Sequence, residues 1–163
     1  MTNLKRLETV RVGVVAGVAG GLAEIAWVML YSGLSGAAVV ARGVAAVAGV
    51  NAVMPDTSPV MLGIGVHMML AEMLGVGLCF AWQALSARRC GSTNPYAFML
   101  SALAGVWAIN FFVVLPVVSP AFVHLVPYAV SLMSKLLFGA AAAAIVSTEP
   151  EFGSREATTA SKI

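Results

Sequence analysis

The sequence is short of charge. Asp, Glu, Lys and Arg make up 10% of its 163 residues, against about 25% in an ordinary soluble domain. So few charges cannot keep a chain that is 60% hydrophobic in water, so a bilayer must cover much of its surface. Cysteine is scarce as well. The two present, Cys79 in an apolar run and Cys90 in a short basic segment, rule out a disulfide framework and read as free thiols. A net charge of +2 is too small to point to nucleic acid as a partner. The chain has no glycine-rich phosphate loop, no Ser/His/Asp constellation and no Cys-x-x-Cys. It also lacks a long polar segment able to house an active site, so enzyme chemistry is not expected. The first apolar stretch is longer than a signal-peptide core and contains Glu24, which argues against cleavage.

What the sequence does have is long apolar runs. A helix needs about 20 apolar residues to cross the hydrocarbon core, and four runs qualify. They cover about 10–32, 59–85, 95–116 and 120–146. The last three open on Ser58–Pro59, Asn94–Pro95 and Ser119–Pro120, each an N-cap residue followed by proline at the first helical position. Pro127 is expected to kink the fourth. Between the first two runs, Gly36–Val50 is apolar and helix-like but only about four turns long, and it contains Arg42. A fifth crossing there would put Arg88 and Arg89 on the opposite side from Lys5, Arg6 and Arg11, against the positive-inside rule. The segment therefore reads as a short interfacial or re-entrant helix on the outer side, with Arg42 snorkelling to the surface.

The expected fold is thus all-α: an integral membrane four-helix bundle spanning residues 1–147. Lys5, Arg6, Arg11, Arg88, Arg89, Arg155 and Lys162 then share one face, which places both termini in the cytoplasm of a cell whose inner (plasma) membrane the chain crosses. Residues 148–163, rich in Ser, Thr and Glu, read as a flexible cytoplasmic tail. In the first span, Gly13, Gly17 and Gly21 recur every fourth residue and offer a flat stripe for close helix packing. Ser101, Gly105 and Ala108 form a looser series in the third. Such stripes pack any membrane bundle; self-association or another membrane subunit is the competing use.

Ionisable residues inside spans are costly and tend to pair or to serve a function. Glu24, Glu72 and Lys135 are the central ones, read as an intramembrane ion pair or proton site. Depth along the helices favours Lys135 with Glu72, and Glu24 is the alternative partner. The unpaired carboxyl is expected to be protonated, or hydrogen-bonded to Asn110 or Tyr128. His67, Asn110, His124, Tyr128 and Ser131 lie toward the outer side and suggest a polar pocket in the outer half. On the fourth span His124, Tyr128, Ser131 and Lys135 share one face. A structural clip that holds helices in register competes evenly with a functional site. His67, Met68 and His124 are weak candidates for metal or haem ligation. The two histidines differ in depth by about 6 Å, and methionine packs bundles well, so neither haem nor copper is predicted.

The leading expectation is a non-catalytic accessory or assembly subunit of a larger inner-membrane complex, a respiratory one among the candidates. The alternatives are a small proton-coupled or metal-ion transporter using Glu24, Glu72 and Lys135, and a haem, quinone or lipid site in the outer half.

Overall fold

Glycines and prolines set the breaks in an otherwise continuous helical chain. The computed structural model describes residues 3–88 and 94–149, and among them there is no strand. Helix α1 (Asn3–Val47) is 45 residues long but is interrupted at Gly33, whose φ of 67° and ψ of 178° are not helical. That backbone region is essentially open only to glycine. Residues 3–32 therefore form the first span, and residues 34–47 form an arm pointing elsewhere. The arm packs back over the bundle: the Ala41 carbonyl lies on Gly63, and Gly43 meets Leu125 and Phe122. It ends at Gly49, in the left-handed conformation at φ 69°, and the short α2 (Val50–Val53) follows.

Helix α3 (Pro59–Arg88) is the second span. Helix α4 (Pro95–Ile109) starts on the Asn94 cap, whose side chain accepts from the Tyr96 N–H at 2.9 Å. It continues through a single π turn (Asn110–Val114) into α5 (Leu115–Val118). Pro116 has no N–H to offer the Phe112 carbonyl, and its ring crowds that turn; the widened turn lies just before it, where the hydrogen-bond ladder must rearrange. Helix α6 (Pro120–Val123) is a short separate piece, and α7 (Tyr128–Thr148) is the last long helix. The Ser119–Pro120 signal thus opens α6 rather than the span. Pro127 stops the helix from running through, because its ring would meet the carbonyl four residues earlier.

Four helices are long and apolar enough to cross a membrane: Asn3–Val47, Pro59–Ser86, Pro95–Val118 and Tyr128–Thr148. The chain is accordingly a multi-pass membrane protein. An even number of crossings brings both described ends to the same side, where Arg11 reaches Glu149 at 3.7 Å. We call this the termini end; the opposite side, with the arm and α6, is the arm end.

Packing is not evenly shared. Helix α1 lies along α3 on one side and α7 on the other, and α7 lies along α4, while α3 and α4 touch far less. Glycine makes the α1–α3 contact close. A Cβ on Gly13 would come within 2.5 Å of the Val76 Cα, and one on Gly17 within 2.5 Å of the Ala71 carbonyl. Gly75 answers from α3, against the main chain of Gly13 and Gly17. The stripe of Gly13, Gly17 and Gly21 is thus covered from within the chain, with Gly21 on Ala71 and Met68. Gly20 faces α7, where the fully buried Phe138 ring fills the space that a side chain would take. One core joins all four spans through residues such as Val12, Leu78, Leu103 and Phe138. A smaller cluster of Phe111, Leu115 and Val123 closes the arm end.

Candidate functional site

The helix starts fix the register of the charged residues. Counted from the arm end at about 1.5 Å per residue, His67 follows Pro59 by eight residues, Lys135 follows Tyr128 by seven, and Glu24 precedes Gly33 by nine. All three fall about 10–14 Å below that end. Direction agrees with depth. Glu24 lies on the α1 face that carries Gly20 and points between α3 and α7.

The contacts follow from this. The Lys135 ammonium sits 2.6 Å from Glu24 Oε1. The Ser134 hydroxyl donates to the same oxygen at 3.3 Å. Across the carboxylate, His67 Nε2 stands 3.6 Å from Glu24 Oε2, too far for a hydrogen bond. Both atoms are buried and neither has a hydrogen-bond partner. Glu24 is only 3% exposed. The Lys135 ammonium also lies 5.9 Å from the centre of the Phe138 ring, within cation–π range. Three helices thus converge on one carboxylate, with one of its oxygens fully engaged and the other facing an imidazole across a gap.

Glu72 is elsewhere. It is at the middle of α3, about 7–8 Å deeper than His67 by helical rise. Its Cα rests against Gly17. Five residues at about 100° each turn it some 140° from His67, which faces the bundle interior. Among the described residues Glu72 makes no hydrogen bond or ion pair, and neither Asn110 nor Tyr128 reaches it.

The outer polar residues do not gather into one pocket. Trp107 Nε1 donates to Ser131 Oγ at 2.9 Å, and that hydroxyl donates to the Tyr128 carbonyl at 3.0 Å. The Tyr128 ring packs with Trp107, Phe111 and Phe112, at centroid distances of 6.4, 5.8 and 5.6 Å. Asn110 opens the π turn and is half-buried. His124 caps α6 and is exposed, so it leaves the stripe that its spacing suggested. No family model, curated protein or solved structure matches this chain.

Its site is therefore described by its own chemistry. Two contacts have no counterpart in the spacing argument. Ser134, next to Lys135, closes the Glu24 shell. Trp27, which reads as a membrane-interface residue, donates its indole N–H to the Val130 carbonyl at 3.0 Å, tying α1 to α7 one turn above the ion pair. Above that bond is an open apolar cavity of about 190 Å³, bounded by Val28, Tyr31, Val40, Leu125 and Val130. Met68 packs on Gly21 rather than beside an imidazole on another span. Among the described residues no three His, Cys, Asp or Glu side chains come close enough together to hold a metal ion.

Proposed function

We propose that this protein is a non-catalytic accessory or assembly subunit of a larger complex in the inner (plasma) membrane. One observation carries the reading: Glu72, halfway along a span, has no counter-ion among the described residues. A carboxyl in that position is expensive in hydrocarbon, and a neighbouring subunit is the economical way to satisfy it. The charge distribution supports both termini facing the cytoplasm, with the arm and Arg42 lying along the outer surface. Single-cysteine labelling at positions 5 and 42 checks this. Position 5 should react only from the cytoplasmic side and position 42 only from outside. Extraction from the native membrane in mild detergent tests the function itself. A subunit migrates with a larger assembly, whereas a chain that runs alone ends the proposal.

A second reading rests on the gap between Glu24 Oε2 and His67 Nε2. Two unbonded buried atoms, one basic and one acidic, suit a proton that comes and goes, as in a proton-coupled carrier. Purified protein in liposomes with an imposed pH difference should then conduct protons, and Lys135→Ala should abolish the flux while the helices stay folded. Absence of flux in the wild type defeats this reading.

A further inference from the structure

Glu72 also defines what kind of neighbour it takes. We infer that the flank of α3 bearing Glu72 docks a transmembrane helix of a partner protein that carries a single Lys or Arg near its centre. This inference rests on the subunit reading above and adds the chemistry of the contact.

The argument is one of charge complementarity. Of the other deep acidic and basic side chains among the described residues, Glu24 holds Lys135 and faces His67, so these are committed to one another. Glu72 is half-buried on the other flank of α3, its Cα against Gly17 at the edge of the α1–α3 contact, and has no partner among the described residues. Lipid headgroups cannot reach it, because it sits at the middle of a helix long enough to span the core. A second copy of the chain is a poor match. Among the described residues its remaining Lys and Arg side chains belong to helix ends or to the arm, as Lys5, Arg6, Arg11, Arg42 and Arg88 do, so at mid-depth a described helix of a copy would bring Glu72 another carboxyl rather than a free ammonium. A different helix with a basic residue at mid-depth supplies the missing charge. The surface beside Glu72 suits an adaptable contact: Met69 and Met73 are 54% and 64% exposed, and unbranched thioether side chains conform to varied partners.

The probe is a synthetic leucine–alanine transmembrane peptide with one central lysine, compared with the same peptide carrying leucine there. Donor-labelled full-length protein and acceptor-labelled peptide are mixed in liposomes, and energy transfer is followed against peptide density. The lysine peptide should associate about tenfold more strongly, the scale of one polar interhelical contact. Glu72→Gln should bring it down to the leucine peptide, and Glu72→Asp should keep much of the preference. Helicity and tryptophan emission of each variant report that the bundle is intact. Equal association of the two peptides, or a preference that survives Glu72→Gln, overturns the inference. Energy transfer between two copies of the protein that Glu72→Gln abolishes also overturns it, because the face then belongs to a second copy. Failure of the inference can be told apart from failure of the subunit reading. A chain that keeps its native assembly while ignoring the lysine peptide is a subunit docked through another face.

Discussion

Replacing Lys135 with methionine removes the ammonium from Glu24 and keeps most of the side-chain volume. At 2.6 Å, two unit charges attract by about 6 kcal/mol if the effective dielectric constant is near 20. Desolvation of both ions offsets most of that gain, so the pair itself contributes little net stability. The single variant is different. It leaves a carboxylate that is 3% exposed with only the Ser134 hydroxyl and a non-bonded imidazole for company. Breaking a buried pair from one side costs roughly 3–5 kcal/mol. Replacing both partners, as in Glu24→Gln with Lys135→Met, should recover most of that and fall within about 1 kcal/mol of the wild type. The assay is equilibrium unfolding in mixed detergent micelles of rising dodecyl sulfate content, followed by the emission of Trp27, Trp82 and Trp107. The coupling between the two sites comes from the double-mutant cycle. A Lys135→Met variant as stable as the wild type refutes the reasoning, and so does a double variant that loses the sum of the two single effects.

Other perturbations test separate parts of the structure. Gly17→Ala places a Cβ within 2.5 Å of the Ala71 carbonyl and should cost roughly 1–3 kcal/mol by forcing α1 and α3 apart. Gly105→Ala meets nothing within 4 Å and should be neutral or stabilising by up to about 1 kcal/mol; both are read in the same micelle titration. Gly33→Ala must adopt a φ of 67°, at a cost of roughly 1–3 kcal/mol. It should loosen the arm, seen as faster proteolysis between residues 33 and 58 with the spans still protected. Trp107→Phe keeps the ring stack but loses the bond to Ser131, for a loss of about 1 kcal/mol in the micelle titration.

Much of this was legible in the sequence because the membrane imposes it. Hydropathy marks all four long helices, and proline after an N-cap residue marks the starts of α3 and α4 without error. The same signal at Ser119–Pro120 opens only α6, because Pro127 forbids continuation. That one shift changes the partner of Lys135. Counted from Pro120, Lys135 falls at mid-span and matches Glu72. Counted from Tyr128, it lies nearer the arm end and matches Glu24. Azimuth settles the rest, since Glu72 lies on the other flank of α3 from His67, against Gly17, and depth alone says nothing of direction. His67 is not at the depth of the charged pair by sequence reckoning, yet it faces Glu24, because α3 and α7 both begin at the arm end and carry these residues about equally far from it. The glycine stripe was plain from its spacing, although spacing could not say that α3 would occupy it. Trp27 and Ser134 gave no signal beyond their neighbours, because a single indole or hydroxyl has no periodicity to read.

The uneven packing has a consequence for how the chain is made. The first two spans form a hairpin zipped by glycines, the last two form another, and the halves meet chiefly along α1 and α7. A ribosome delivers Glu24 to the bilayer more than a hundred residues before Lys135, so the first hairpin must wait without the ammonium that its carboxyl pairs with. Closure of the seam is therefore the late event in biogenesis. Two fragments split between residues 88 and 94 and synthesised separately carry complementary charges, by which they can find each other in the bilayer.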